Sequence, residues 1–179
     1  MSFCGNFTCP VWASATMRTV RNGEQSVPIK DRGDGPCFGI KGSRRGLPLI
    51  GTFNENLGDY SYQSRLPWLL NIHTRFSETF ANGFPKKSES ASLTAWENCL
   101  IDTVEGECQF AWVGHVTWNG FREVFFHIDE PKLVSAALTQ LAGQESSRSF
   151  IFGVELDRQW KRVGIYFKRG RFAGLSAGG

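Results

Sequence analysis

The sequence predicts an α+β domain of the ferredoxin-like, split βαβ kind, preceded by an N-terminal β-hairpin segment. From Leu66 onward the hydrophobic pattern runs strand, helix, strand, strand, helix, strand. Two Asn-Gly pairs, Asn22-Gly23 and Asn119-Gly120, stand between alternating apolar runs. That is a strong hairpin signal, because a type I′ turn needs positive φ at both central residues. A chain of 179 residues, 41% hydrophobic and 21% charged, can bury enough surface for one core without disulfides or metal. Residues 1–168 are therefore expected to form a single domain, with the hairpin segment at 12–60 and the ferredoxin-like core at 66–168. Residues 169–179, rich in Gly and Ala, read as a disordered tail.

The elements follow in order. Ala15 to Ile29 is strand-like around Asn22-Gly23, with Met17, Val20, Val27 and Ile29 as its apolar positions. Asp31-Arg32-Gly33-Asp34-Gly35-Pro36 is a loop by composition. Cys37 to Ile40 and Leu47 to Phe53 read as short strands separated by a basic turn, Lys41 to Gly46. Trp68, Leu70, Ile72, Thr74 and Phe76 alternate with Leu69, Asn71, His73 and Arg75, the period of a strand with one buried face. Asn82-Gly83-Phe84-Pro85 breaks the chain. Ser88 is the expected N-cap of a helix with Glu89 in its first turn, and Leu93, Trp96, Leu100 and Val104 fall at helical spacing up to Gly106.

A hairpin then joins Gln109 to Trp118 with Phe121 to Ile128, and its turn sets Trp118 opposite Phe121 and His115 opposite Val124. In that register Phe110, Trp112, Val116, Trp118, Phe121, Glu123, Phe125 and His127 share one face. Ala111, Val113, His115, Thr117, Arg122, Val124, Phe126 and Ile128 share the other. Both are largely apolar, so both must be covered. Glu130-Pro131 opens a second helix with the stripe Leu133, Val134, Ala137, Leu138 and Leu141, ended by Gly143. Phe150, Phe152, Val154 and Leu156 alternate as a last strand, ended by Asp157-Arg158-Gln159-Trp160, with Val163 to Phe167 as a short extension.

Charge and cysteine content narrow the class. Twenty Lys and Arg face 17 Asp and Glu, which excludes a histone-like polycation. Residues 1–46 are net +4 and residues 47–168 net −3. No basic stretch followed by an apolar run opens the chain, and no segment has the length of a membrane span, so a cytoplasmic protein is expected. Cys4, Cys9, Cys37, Cys99 and Cys108 lack the paired spacing of a disulfide framework or zinc site. A site on Cys4, Cys9 and Cys37 would need a fourth ligand, and that segment has no His. Neither metal nor cofactor is expected.

Leu66-Pro67-Trp68-Leu69-Leu70, Asn82-Gly83-Phe84-Pro85, Glu97, Gly114, Asn119-Gly120-Phe121-Arg122-Glu123 and Asp157-Arg158-Gln159-Trp160 occur in this order along the chain. Together they resemble the bacterial domain of unknown function numbered 695, over roughly Trp12 to Phe167. Phe84 stands where that family more often has an aliphatic residue. The resemblance implies an α+β fold similar to the regulator of ribonuclease E activity, B type. It also implies regulatory protein binding, and it transfers no catalytic residue.

The hairpin register places Trp112, Trp118, Phe121, Phe125 and His127 on the sheet face opposite the helices, which the N-terminal hairpin, a second subunit or a ligand would have to cover. His115 and His127 fall on opposite faces and cannot share a metal. His73 and His127 could share the open face with Arg75, Glu123 and Glu155, as a binding or acid–base group or as cross-strand polar pairs beneath the N-terminal segment, the favoured account. Asn119-Gly120-Phe121-Arg122-Glu123 is a tight turn and a candidate partner-binding tip. RNA recognition through Gly120 to Phe126 is disfavoured: Asn71, His73 and Arg75 replace stacking aromatics on the neighbouring strand, and residues 47–168 are net negative. Nucleophile-elbow, P-loop and dinucleotide motifs are missing, and Gly33-Asp34-Gly35-Pro36 does not open a helix. The expectation is a non-enzymatic, cytoplasmic binding protein, a regulator or immunity-type factor, whose partner is another protein or a second copy of the chain. The candidate binding residues are His73, Arg75, Trp112, Trp118, Asn119, Phe121, Arg122, Glu123 and His127. The alternative is a small-molecule enzyme or sensor using His73, Arg75, Glu123 and His127.

Overall fold

A computed structural model describes residues 28–59, 61–145 and 148–175 of the chain. Short strand β1 (Lys30–Asp31) leads into the hairpin β2 (Cys37–Arg44) and β3 (Leu47–Asn54), followed by a single 3-10 turn at Glu55–Leu57. Then come β4 (Trp68–Arg75), α1 (Lys87–Glu107), β5 (Phe110–Trp118), β6 (Phe121–Ile128), α2 (Pro131–Ala142), β7 (Phe150–Leu156) and α3 (Lys161–Leu175). The seven strands form one sheet in the order β2-β3-β5-β6-β4-β7, every neighbour antiparallel, with β1 parallel to β5 off this path. The expected hairpin at Asn22-Gly23 and the cysteines Cys4 and Cys9 lie outside the described residues.

The turn chemistry sets the register. Asn119 and Gly120 have φ of 47° and 76°, and Trp118 opposes Phe121 and His115 opposes Val124, as the sequence predicts. Arg45 and Gly46 repeat the device with φ of 52° and 79°. That turn needs only two residues, so Lys41 to Arg44 belong to β2 and not to the basic turn expected there.

Beyond Gly114 the expected register fails. Trp112 pairs with Phe126 and Gly114 with Phe125, so β5 carries one extra residue, Val113, in a β-bulge. From the bulge back to its start, β5 exchanges faces. Phe110 and Trp112 join Phe126 and Ile128 beneath the helices, while Ala111 and Val113 join Val116 and Phe125 on the other side. Trp112 is therefore not on the open face. The Trp112 carbonyl that the bulge turns aside accepts from Asn54 Nδ2 at 3.2 Å, and the same amide donates to Asp31 Oδ1 at 2.9 Å, so this fully buried Asn satisfies the displaced carbonyl.

Each sheet face has its own core. On one, Leu93, Trp96, Leu100 and Val104 of α1 and Val134, Leu138 and Leu141 of α2 pack on Leu70, Ile72, Val124, Phe126 and Phe150. The N-terminus of α1 differs from the expectation: Lys86 is its N-cap, and the Ser88 hydroxyl donates to Glu78 Oε2 at 2.7 Å. On the other face, Trp160, Val163 and Phe167 pack with Phe53, Leu69, Val116 and Phe125. Val163 to Phe167 is thus helical, a turn of α3 rather than a strand extension. The same helix continues through Leu175, where a disordered tail was expected from residue 169. Asp157 nucleates it, its two carboxylate oxygens accepting from the backbone N–H of Lys161 at 2.9 Å and of Arg162 at 3.0 Å. No described helix is long and apolar enough to cross a membrane.

Gly114 has φ +148°, and a Cβ there would stand 2.3 Å from the Thr52 carbonyl oxygen and 2.6 Å from the Phe53 ring. Gly114→Ala is expected to cost about 3 kcal/mol or more, read as a lowered urea midpoint. An unchanged midpoint would mean that β5 tolerates an unbulged register.

Candidate functional site

Two polar groups occupy opposite faces of the β4-β5-β6 strands. On the outer face, among the described residues, α3 covers only part of the sheet, and an aromatic and charged group lies beside it. The Arg44 guanidinium of β2 sits 5.0 Å from the Trp118 ring and pairs with Glu123 Oε1. The same oxygen accepts Trp118 Nε1–H at 3.1 Å and lies 4.0 Å from His73 Nδ1. Trp118 stacks on Phe121 with centroids 6.1 Å apart, and the exposed Arg75 guanidinium covers Phe121 at 4.9 Å. The result is a half-exposed layer of two rings and two cations around one carboxylate. Of the expected residues, His73, Arg75, Trp118, Phe121 and Glu123 meet here. Arg44 is visible in the sequence only as one member of a basic turn; what brings it in is its strand register, with two strands between it and Glu123.

Between this group and α3 runs a groove of about 400 Å³, lined by Arg44, Asn71, Glu123, Glu155, Arg162 and Tyr166 among others. Asn71 Oδ1 is buried without a hydrogen-bond partner. Cations and carboxylates alternate around the groove, with Arg162 Nε 3.0 Å from Glu155 Oε1.

His127 belongs to neither the group nor the groove. It is fully buried, stacked on Trp160 with centroids 4.0 Å apart and planes 13° apart, and its Nδ1 lies 3.1 Å from the Leu66 carbonyl, which also accepts Trp160 Nε1–H at 3.0 Å. Burial drives its pKa down to about 4, against a small upward pull from Asp157. The expected partnership of His73 with His127 does not form, because Trp160 and α3 close over the latter.

The inner group was not anticipated as such. Glu97 of α1 is buried against the sheet, accepting from Trp112 Nε1 at 2.9 Å and Arg122 Nη1 at 2.9 Å, with His115 Nδ1 at 3.0 Å. Arg122 Nε adds a bond to Thr117 Oγ1 at 2.7 Å. Burial opposes the Glu97 charge, yet His115, Arg122 and the Trp112 N–H outweigh it and hold the carboxyl below its ordinary value. Burial also lowers the Arg122 pKa, against the pull of Glu97. Trp112 and Arg122, expected as binding residues, are thus both buried in this inner group. The signal for Glu97 was present: spaced four from Leu93 and three from Leu100, it is a carboxylate inside the buried stripe of α1.

Asn119 forms a second corner. Gly120 N–H donates to the Gly83 carbonyl at 2.9 Å and Phe76 N–H to the Gly120 carbonyl at 2.9 Å, so the two Asn-Gly segments of the core meet at one end of the sheet. A broad depression of about 690 Å³ lies there, lined by Arg75, Asn82, Glu89, Asn119 and Arg148 among others, with Arg148 Nη2 2.6 Å from Glu89 Oε1. Turn geometry accounts for Asn119, and its rim position leaves it beside Arg75.

Fold and site together define an α+β protein with an antiparallel sheet covered by two helices on one face and partly by a third on the other. Over residues 46–168 the chain matches the model of a family of unknown function, DUF695, and it belongs to that family. The likeness read from Trp12 onward is thus carried by the match from residue 46. No curated protein and no solved structure matches the chain.

Glu97→Gln retains the shape but leaves Arg122 as an uncompensated buried cation, and is expected to cost about 3 kcal/mol in urea unfolding; a loss below about 1 kcal/mol would mean that water reaches Arg122. His127 binds a proton more weakly folded, at about 4, than unfolded, at about 6.5. Its contribution is therefore complete above about pH 6.5 and declines as pH falls toward 4, by up to about 1.4 kcal/mol per unit. Stability of wild type against His127→Phe, measured across that window, should lose its difference in slope only above it; parallel curves throughout would refute the burial effect.

Proposed function

We propose that the protein is a non-enzymatic, cytoplasmic binding module that regulates or neutralises another protein through the outer face of its sheet. The observation that carries this is the half-exposed layer of Arg44, Trp118, Phe121 and Arg75 around Glu123. Arg and Trp are enriched among residues that dominate binding energy, and rings already stacked and held by cations lose little entropy on docking. The strand order β7-β4-β6-β5, with α1 after β4 and α2 after β6, supports reading residues 66–156 as a split βαβ core of the ferredoxin-like kind. The family's likeness to the ribonuclease E regulator of B type then becomes a shared plan, with β1 to β3 added beside β5. Five cysteines without the spacing of a disulfide framework support the cytoplasm; a bacterial source is supported by the family resemblance alone.

Other readings have less support. An enzyme or small-molecule sensor built on His73, Arg75, Glu123 and His127 loses His127 to the α3 core, and is left with the groove at Asn71 and Glu123. An RNA platform needs open rings on the central strands, whereas Phe125 lies under Tyr166 of α3 at 5.8 Å.

The test is affinity purification of the tagged chain at endogenous expression, wild type beside Arg75→Glu. Arg75 is exposed, so the variant should fold as wild type. A reproducible partner whose affinity falls about 30-fold in the variant is the expected result. No reproducible partner, or equal capture by both, would overturn the reading.

A further inference from the structure

Strand β7 forms one edge of the sheet. It pairs with β4 from Trp68↔Leu156 to Thr74↔Phe150, and among the described residues no strand lies along its other side. Protein sheets protect such edges with lysine, proline, bulges or short strands. The opposite edge, β2, carries Lys41, Arg44 and two glycines in eight residues. In contrast, Phe150-Ile151-Phe152-Gly153-Val154-Glu155-Leu156 has no lysine or proline and pairs with β4 without a bulge. Ile151 is 73% and Leu156 50% exposed.

We infer that β7 pairs antiparallel with β7 of a second copy of this chain, continuing the sheet across a two-fold axis at Gly153. The strand's own order selects this occupant. Gly153 is the middle residue of the seven, so a two-fold axis there overlaps the whole strand with the whole strand. Phe150 then opposes Leu156 of the second copy, Phe152 opposes Val154, and Ile151 opposes Glu155. Phe152 and Val154 are partly buried residues packed against the core beneath α1 and α2, so their pairing carries that core across the junction. On the outer face, a Cβ at Gly153 would meet nothing within 4 Å, so the two backbones meet there with no side chain between them. The Glu155 charge is met within its own chain by Arg162, which allows its stem to lie against Ile151 of the second copy. A shift of register by two residues would leave two residues of each strand unpaired and lose the Phe–Leu pairs.

This pairing uses the backbone edge of β7 and not the sheet face that carries Arg44 and Trp118, so self-association and capture of a different protein are read separately and either can fail without the other. Sedimentation velocity over a concentration series tests it. Wild type is expected to dimerise. Ile151→Glu, at a position open enough to leave the monomer intact, sets carboxylates against Glu155 of the other copy twice by symmetry and should weaken the dimer about tenfold. Ile151→Arg sets a cation there instead and should hold the dimer at least as tightly as wild type. A wild type that stays monomeric at its highest soluble concentration overturns the proposal and leaves the edge to residues 1–27 or a foreign strand. Equal weakening by both substitutions, or by neither, overturns the register and the proposal with it.

Discussion

At Val113 the central strand β5 takes in one residue that β6 does not match, and both cores depend on that insertion. Without it, Trp112 would lie opposite His127 on the outer face, and the inner face would receive Ala111 and Val113. Alanine and valine fill too little space beneath α1, and an indole would occupy the ground where Trp160 and α3 now dock. With it, the larger rings Phe110 and Trp112 face α1 and α2, and the smaller side chains face α3. The bulge therefore sorts side-chain volume between two cores, and close packing makes that sorting a condition of the fold. Gly114 permits it, because the Thr52 carbonyl approaches too closely for any side chain and φ lies where L residues rarely go.

The same insertion determines where buried charge can sit. Trp112 brings its N–H to Glu97 only from the inner face, and with Arg122 and His115 it gives that carboxylate enough donors to remain ionised in an apolar layer. A buried pair of this kind contributes little net stability against an apolar replacement, but it penalises every arrangement that leaves one charge unmatched. Here it ties α1 to the β5-β6 hairpin at one rotation. Glu89, in the first turn of α1 and eight residues earlier, pairs with Arg148 ahead of β7, so two carboxylates hold the helix against rotation where its apolar stripe alone would constrain it less.

Local chemistry made most of the fold legible in the sequence. The Asn119-Gly120 turn dictates its register through φ alone, and the period of β4 and the stripe of α2 follow from burial on one side. Contacts distant in sequence were not legible. The face of Trp112 depends on a bulge whose only sequence mark is a glycine within a strand, and a regular alternation extended through it puts the residue on the wrong side. α3 was hidden because Gly164 and Gly170 lower its helix propensity while Val163, Ile165 and Phe167 also alternate like a strand. Trp160, Val163 and Phe167 have helical spacing, and the Asp157 cap precedes them. Of the candidate residues, His73, Arg75, Trp118, Phe121 and Glu123 lie together on one face, but Arg44 comes from the far side of β3 and β5, and the burial of His127 follows only from α3.

Among the described residues, α3 covers only part of the outer face. α3 meets the sheet where side chains are apolar: Phe53, Val116 and Phe125 lie beneath it with Leu69, and Trp160 closes over His127. Toward the other end of the same strands, Glu123, His73 and Arg75 replace apolar residues, and a helix docked there would have to desolvate three titratable groups at a cost its own contacts could not repay. On this side of the helix Tyr166 and Arg162 stand at the lip of the groove. The rings next to those groups, Trp118 and Phe121, are instead shielded by Arg44 and Arg75, whose guanidinium planes cover aromatic surface while remaining hydrated. The polarity of Glu123, His73 and Arg75 is thus what leaves Trp118 and Phe121 beneath cations rather than beneath α3.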